Sequence, residues 1–367
     1  MSIELGSRRS AVGEDGEQPA PIPLVVMYLY VHGQSEGFFY PTVRAQASAS
    51  RVAVRYLECA LAQAASLRLT GADCDVSLAT NVTDRSVLGR DGSRLIDSMK
   101  ELGVGILETE YLHRPGGDTE IYLSSRYVLD AIVSACAGEP QERRLWLTDL
   151  DCVWVDPQLM FRSATRPPEI GCIHIGYDPD WDPVGFDEHG LTRRAIGELA
   201  AAMGGGEEVP PWIGGELLTG TPDDLRELVR ACEELDRGLA AEGKSVPTEE
   251  QILTLAGATG RVRFRDLSGV ARRMPTGPRN QAAGVSDPLS LGLWHLPSEK
   301  GLSLRRTARE IQRGRTGRLR RDLSDPARAA RRFNVEGTGA LRRVQDDGWL
   351  ATQRVLAMAN AAFARRA

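Results

Sequence analysis

Lysine is nearly missing from this 367-residue chain: Lys100, Lys244 and Lys300 are the only three, and arginine supplies the rest of its 45 basic side chains. Aromatic residues are sparse too, at 6%. No apolar run approaches the roughly 18 residues that a bilayer-spanning helix needs. The best of them, Leu24 to Val31, has the length of a strand. Residues 1–20 lack the apolar stretch of a secretory signal and read as a polar, disordered lead-in. None of the six cysteines sits in a Cys-x-x-Cys pair. That argues against a zinc site or a disulfide framework and for reduced thiols in a cytoplasmic protein. No Gly-x-Gly-x-x-Gly follows the first apolar run, which disfavours a dinucleotide-dependent dehydrogenase.

What is present fits an ordinary globular chain, with 42% hydrophobic and 26% charged residues. Its length allows two or three domains, or one large α/β domain with extensions. The formal net charge of −5 conceals a segregation. Residues 301–367 carry sixteen arginines against six acids, so the acidic excess lies in the first 300. This Arg-rich end reads as helices broken near Gly314, Gly317, Pro326 and Gly339. Three roles stay open for it: a solvated cap on the acidic body, an oligomerisation face, or an anion-binding surface. The solvated cap is the commonest of these; the stripe Trp349, Leu350, Val355, Leu356 and Met358 puts the second next, as a homodimer joined through these helices. No aromatic interleaving supports nucleic acid.

Between Pro21 and Lys300 strand and helix patterns alternate. Strands are expected at 24–31, 74–79, 104–107 and 145–148. Helices are expected at 51–69, 93–102 and from Thr119 to about 137. This βαβαβαβ order predicts a mostly parallel sheet with helices on both faces. Further strands are expected at 170–175 and 212–218. Two helices then open with capping boxes, Thr221 with Asp224 and Thr248 with Gln251. Residues 238–245 match the phosphate-binding-loop pattern letter for letter. A helix precedes them and Val246-Pro247 follows, so Gly243 reads as a helix stop instead.

The most informative stretch is Leu145 to Pro157, where a buried strand ends in Asp149-Leu150-Asp151 and apolar character resumes. Alternate residues of an extended chain share a face, so the two carboxylates project together. At the carboxyl end of a central parallel strand they suit a hard divalent cation, and ligands bind there in open α/β sheets. The plainer alternative is a polar strand-to-turn junction. Apolar flanks favour the metal, because buried carboxylates need a compensating partner. His295 is either an imidazole ligand, which would favour Mn²⁺, or a packed residue beside Trp294.

This Asp-x-Asp strand resembles that of GT-A-fold glycosyltransferases, which use nucleotide-sugar donors. Three later stretches follow the motif order of glycosyltransferase family 8, the glycogenin-like enzymes. Trp212 to Leu218 resembles the strand beside the acceptor, although the family's Asn is replaced by Ile213 or Gly214. Glu249-Glu250-Gln251 resembles the helix start that follows. Leu293 to Gly301 resembles the late stretch in which a His is the third metal ligand and a Lys contacts the donor diphosphate. Here the His-to-Lys spacing is one residue shorter and no Pro follows Lys300.

The resemblance covers about residues 21–301 and implies a GT-A-like catalytic domain. Residues 21–157 would be its nucleotide-sugar half, 158–301 its acceptor half, and 302–367 a basic helical extension. It implies Mn²⁺ or Mg²⁺ held by Asp149, Asp151 and His295, and a nucleoside diphosphate sugar, with UDP as carrier, contacted by Lys300 and Asp149. Arg126, in the helix before the Asp-x-Asp strand, would contact the donor. Tyr30 and His32, at the end of the first strand, are candidates for the base. Glu216 would serve as general base, or would stabilise an oxocarbenium-like centre; Glu250 is a second acceptor-side carboxylate. The expectation is a hexosyltransferase acting on a small-molecule or peptide acceptor. A metal-dependent nucleotidyltransferase and a non-catalytic binding platform are the alternatives.

Overall fold

The computed structural model describes residues 21–32, 49–82, 85–115, 124–163, 169–180, 191–206, 209–274, 276 and 287–335. The expected lead-in over 1–20 and the apolar stripe from Trp349 to Met358 lie outside them. Four parallel strands form half of the main sheet: β1 (Leu24–Leu29), β2 (Asp75–Thr80), β3 (Val104–Glu108) and β4 (Leu145–Thr148). Their crossovers carry α1 (Ala49–Leu69), α2 (Arg85–Glu101) and α3 (Tyr127–Cys136).

The continuous apolar run of β1 follows from burial on both faces. Val25, Met27 and Leu29 pack with Leu57 and Leu61 of α1, whereas Leu24 and Val26 pack with Val128, Leu129 and Ile132 of α3. The period-2 alternation of the strand thus serves two cores.

The second half of the sheet is less regular. It contains β6 (Ile170–Ile175), β7 (Trp212–Gly220) and β8 (Phe264–Asp266), and the full strand order is β3-β2-β1-β4-β7-β6-β8. Only β7 is antiparallel to its neighbours, β4 and β6. The β6–β7 register shifts between Cys172 and Ile173, opposite Gly214. Such an irregularity re-aims side chains. A smaller sheet, β5 (Cys152–Trp154), β10 (Leu293–His295) and β9 (Ala271–Arg273), stands beside the main one. Asp149-Leu150-Asp151 is the link from β4 to β5 and therefore joins the two sheets.

The remaining helices are α4 (Pro157–Arg162), α5 (Arg193–Ala202), α6 (Pro222–Ala241), α7 (Glu249–Ala258), α8 (Ser303–Gln312), α9 (Thr316–Leu323) and α10 (Pro326–Arg332). Both expected capping boxes are formed, at Thr221–Asp224 and Thr248–Gln251. Gly243 follows the end of α6 with φ 69°, a left-handed conformation that suits a helix stop.

Three expectations are corrected. The helix anticipated from Thr119 begins at Tyr127, with Arg126 as N-cap, and Thr119 lies outside the described residues. The helix anticipated at 93–102 starts at Arg85 and tolerates a kink at Gly89, φ 65°. Gly317 does not break the Arg-rich end; it sits in the first turn of α9, where backbone N–H groups lack helical partners in any case. Among the described residues no helix is long and apolar enough to cross a membrane.

Candidate functional site

The link between the sheets is fixed by backbone hydrogen bonds on both sides. Asp149 N–H donates to the Glu216 carbonyl of β7 (3.1 Å), and Leu296 N–H donates to the Asp151 carbonyl (2.9 Å). His295 is the register partner of Cys152 across β10–β5, which sets its ring beside Asp151. Leu150, between the two acids, is buried in the core.

Three side chains gather there. His295 Nε2 lies 3.2 Å from Asp151 Oδ2 and 3.5 Å from Asp149 Oδ2. One ligand atom from each of Asp149, Asp151 and His295 falls within 4.8 Å of the others. Lys300 Nζ is 2.7 Å from Asp151 Oδ2 and 5.5 Å from the centre of the Tyr56 ring. The Tyr28 hydroxyl, on β1, donates to Asp149 Oδ1 (2.7 Å) and lies 3.1 Å from the Gly215 carbonyl.

Electrostatics divides the two acids. Burial opposes ionisation of Asp151, but Lys300 and His295 outweigh it and hold that carboxyl far below the usual range. Burial and the charge of Asp151 instead raise Asp149, against His295 and Lys300. Burial alone would discharge His295; Asp151 and Glu216 overcome it and push the imidazole up to about 9. The two ring nitrogens of His295 are buried without a well-directed hydrogen bond, each lying 3.2–3.5 Å from a carboxylate oxygen. Buried polar atoms rarely lack partners. Two carboxylates and an imidazole converging on one point are the donor set of a divalent cation. The residues therefore fit such an ion.

The acceptor-side carboxylates are differently engaged. Arg273 grips Glu216 with Nε on Oε1 and Nη2 on Oε2, both at 3.0 Å, and also bonds Glu250 Oε1 and the Tyr177 hydroxyl. Burial is outweighed by Arg273 and His295, and Glu216 is held down to about 2. Glu250 also accepts from Trp212 Nε1 (2.7 Å). Glu249 faces no cation among the described residues; burial, then the charges of Glu250 and Asp149, push it up to about 8.

The two glycines of β7 make this packing possible. A Cβ at Gly214 would stand 2.2 Å from Glu216 Oε2, and one at Gly215 would stand 2.6 Å from Glu249 Cγ.

Of the residues anticipated from sequence, Asp149, Asp151, His295, Lys300 and Glu216 come together. Glu250 joins them through Arg273. Tyr30 and His32 lie in a separate aromatic group at the end of β1. The Tyr30 ring is 5.0 Å from His32, 4.8 Å from Tyr111 and 5.4 Å from Tyr127, and its hydroxyl accepts from Arg114 (2.8 Å). Arg126 is buried and committed elsewhere: its guanidinium bonds Asp236 of α6 and the Val246 carbonyl.

Arg273, Tyr28 and Tyr56 escaped the sequence reading. Tyr28 had one signal, a hydroxyl inside an otherwise apolar strand. Arg273 had none, since one of two adjacent arginines in a three-residue strand resembles any surface arginine.

No protein-family model matches this chain, and no curated protein does. Solved structures that this chain resembles include glycosyltransferases. The galactosyltransferase LgtC, solved with donor and acceptor sugar analogues, is 10% identical, with 79% of this chain and 95% of that one covered and a TM-score of 0.45. The bifunctional glycosyltransferase WbbM is 12% identical over 75% of this chain and 45% of its own, TM-score 0.47. Mouse xyloside xylosyltransferase 1 is 14% identical over 75% and 97%, TM-score 0.41.

Proposed function

We propose that this protein is a metal-dependent glycosyltransferase. It would move a sugar from a nucleoside diphosphate sugar to a nucleophilic group of a small-molecule or peptide acceptor. The observation that carries this reading is the convergence of Asp149, Asp151 and His295, with Lys300 behind them, at the carboxyl end of a central parallel strand.

Asp149, Asp151 and His295 would hold Mn²⁺ or Mg²⁺, the imidazole favouring Mn²⁺. When bound, such an ion supplies Lewis-acid stabilisation of the negative charge that collects on a departing diphosphate. Lys300 adds a fixed positive charge aimed at the same oxygens, where preorganised charge contributes most. Its pairing with Asp151 keeps the ammonium in place and fully charged. The ring group of Tyr30, His32 and Tyr111, flanked by Arg114, offers faces and edges on which a base can stack.

On the acceptor side, the partly buried Tyr177, Glu249 and Glu250 would meet an acceptor hydroxyl, with Trp212 buried behind Glu250. Glu249 is the carboxylate there without a cationic partner among the described residues. Raised to about 8, it keeps its proton at neutral pH and can donate a hydrogen bond to an oxygen of the incoming substrate.

A thermal-shift panel tests the reading. Nucleoside diphosphates and nucleotide sugars are added with and without Mn²⁺, to the wild type and to Asp151→Asn. A ligand at 100 times its dissociation constant adds about 2.7 kcal/mol, a shift of several degrees for a domain of this size. The expected result is a Mn²⁺-dependent shift with one diphosphate that disappears in the variant. A shift with a triphosphate alone would point to a nucleotidyltransferase, and an equal shift in Asp151→Asn would remove the metal from the account.

A further inference from the structure

Glu216 looks at first like a base waiting for a substrate hydroxyl. Its surroundings contradict that role. The side chain is fully buried, and both carboxylate oxygens lie in the guanidinium fork of Arg273 at 3.0 Å. A bidentate Arg–carboxylate pair fixes orientation as well as charge. An acceptor could use Glu216 only by breaking that pair in a dry site. What Glu216 faces instead is a ring: its Oε1 lies 3.4 Å from His295 Nδ1. The other ring nitrogen, Nε2, faces Asp149 and Asp151.

The architecture supports the same direction. Arg273 and His295 are register partners in the β9–β10 pair, and Met274 N–H donates to the His295 carbonyl (2.8 Å). The clamp and the imidazole therefore ride on one ladder. Glu216 reaches them from β7, in the space left by the absent side chain of Gly214. Arg273 is steadied in turn by Glu250 and Tyr177.

Resting on the metal centre proposed above, we infer that the Arg273–Glu216 pair positions His295. It holds Nδ1–H toward the carboxylate and leaves the Nε2 lone pair for the cation, and so sets the affinity of the centre for its metal. A ligating imidazole commonly has its tautomer fixed by a carboxylate on its other nitrogen, and loss of such a partner typically weakens metal binding about 10–100-fold. Glu216 and Arg273 are positioning residues by this account, not groups that touch substrate.

Glu216→Gln gives the sharpest test. Both carboxylate oxygens accept from Arg273, so the amide NH₂ of the new side chain breaks one arm of the fork whichever way it turns, and the negative charge beside His295 Nδ1 is lost. Nδ1–H then loses the carboxylate that favours it, and more of the ring proton sits on Nε2, where it blocks the ligand position. Two quantities are read on the full chain: Mn²⁺ affinity, from the free Mn²⁺ signal in electron paramagnetic resonance, and histidine ring ¹⁵N shifts in saturating Mg²⁺.

The chain has only five histidines, which keeps assignment by substitution practical. The wild type is expected to carry its His295 proton on Nδ1, and Glu216→Gln to carry a larger share of it on Nε2, with Mn²⁺ binding weakened about 10–100-fold. Arg273→Gln should weaken Mn²⁺ binding as well, and Arg273→Lys should recover part of that loss. This second pair carries the test if Glu216→Gln does not fold.

Wild-type Mn²⁺ affinity and an unchanged tautomer in Glu216→Gln would overturn the inference. Loss of binding in Asp151→Asn under the same conditions would leave the metal centre standing. If the wild type itself binds no Mn²⁺, the metal centre and the inference fall together.

Discussion

Lys300 shows how one side chain can be separated from the metal ligands that surround it. Its ammonium is 2.7 Å from Asp151 Oδ2 and nearly buried. Removing one member of a buried pair leaves the other uncompensated, at a cost of about 3–5 kcal/mol. Lys300→Met should therefore lower the melting temperature in the presence of a chelator. Mn²⁺ can replace the missing charge beside Asp151, so adding it should restore most of the loss. Turnover should still vanish, because the diphosphate loses its fixed cation. Melting curves with chelator and with Mn²⁺, beside a donor-hydrolysis assay, give the comparison. A variant that keeps wild-type turnover would remove Lys300 from the chemistry. Gly214 makes a second prediction at this scale. A methyl there collides with Glu216 Oε2 at 2.2 Å and with Ile175 Cδ1 at 3.0 Å, so Gly214→Ala should cost about 1–3 kcal/mol of stability as an overpacked site. Denaturant titration reads it, and a neutral result would mean that the carboxylate moves freely.

At the scale of elements, α3 is held by a contact that no local pattern announces. Arg126, its N-cap, reaches Asp236 of α6 and the Val246 carbonyl just before α7. Arg126→Met should therefore loosen three helices together. The loss should be about 2 kcal/mol, below the usual value for a broken buried pair, because Asp236 is 37% exposed and can rehydrate. Nucleotide affinity should stay near wild type if the guanidinium serves the helices alone; a large loss of donor binding with unchanged stability would restore the donor-contact role. The same residue explains what the sequence did and did not reveal. Caps such as Thr221–Asp224 and Thr248–Gln251 are local, so they were legible. The Asp149-Leu150-Asp151 link was legible too, since an apolar strand that ends in alternating acids is itself a local pattern. The start of α3 was missed because its anchors lie 110 and 120 residues away. Arg273 was missed for a similar reason: Glu216 is 57 residues distant and reaches it only where the two sheets meet.

For the whole molecule, the buried charges of the site predict how stability and metal binding change with pH. Glu216 is held down to about 2 and Asp151 lower than its ordinary range. Their contribution is present above an unfolded carboxylate value near about 4 and is lost as acid drives the pH toward 2. His295 is shifted the other way, up to about 9. Its contribution is complete below an unfolded value of about 6.5 and fades as the pH rises from there to about 9. Glu249 and Asp149, both raised by burial, resist ionisation and add a loss that begins at about pH 4.5, so without metal the site should stabilise the fold most at about pH 4 to 5. Metal binding runs against this trend, because the cation must displace the proton on His295. Each pH unit between about 6.5 and 9 should strengthen Mn²⁺ binding by about tenfold, one proton being released per ion. Melting temperatures from pH 5 to 9, with and without Mn²⁺, test both halves at once. The metal-free curve should decline above about pH 5, more steeply above about 6.5, while the Mn²⁺-induced shift grows. A Mn²⁺ shift independent of pH would mean that His295 is not a ligand, and the two carboxylates alone would then have to hold the ion.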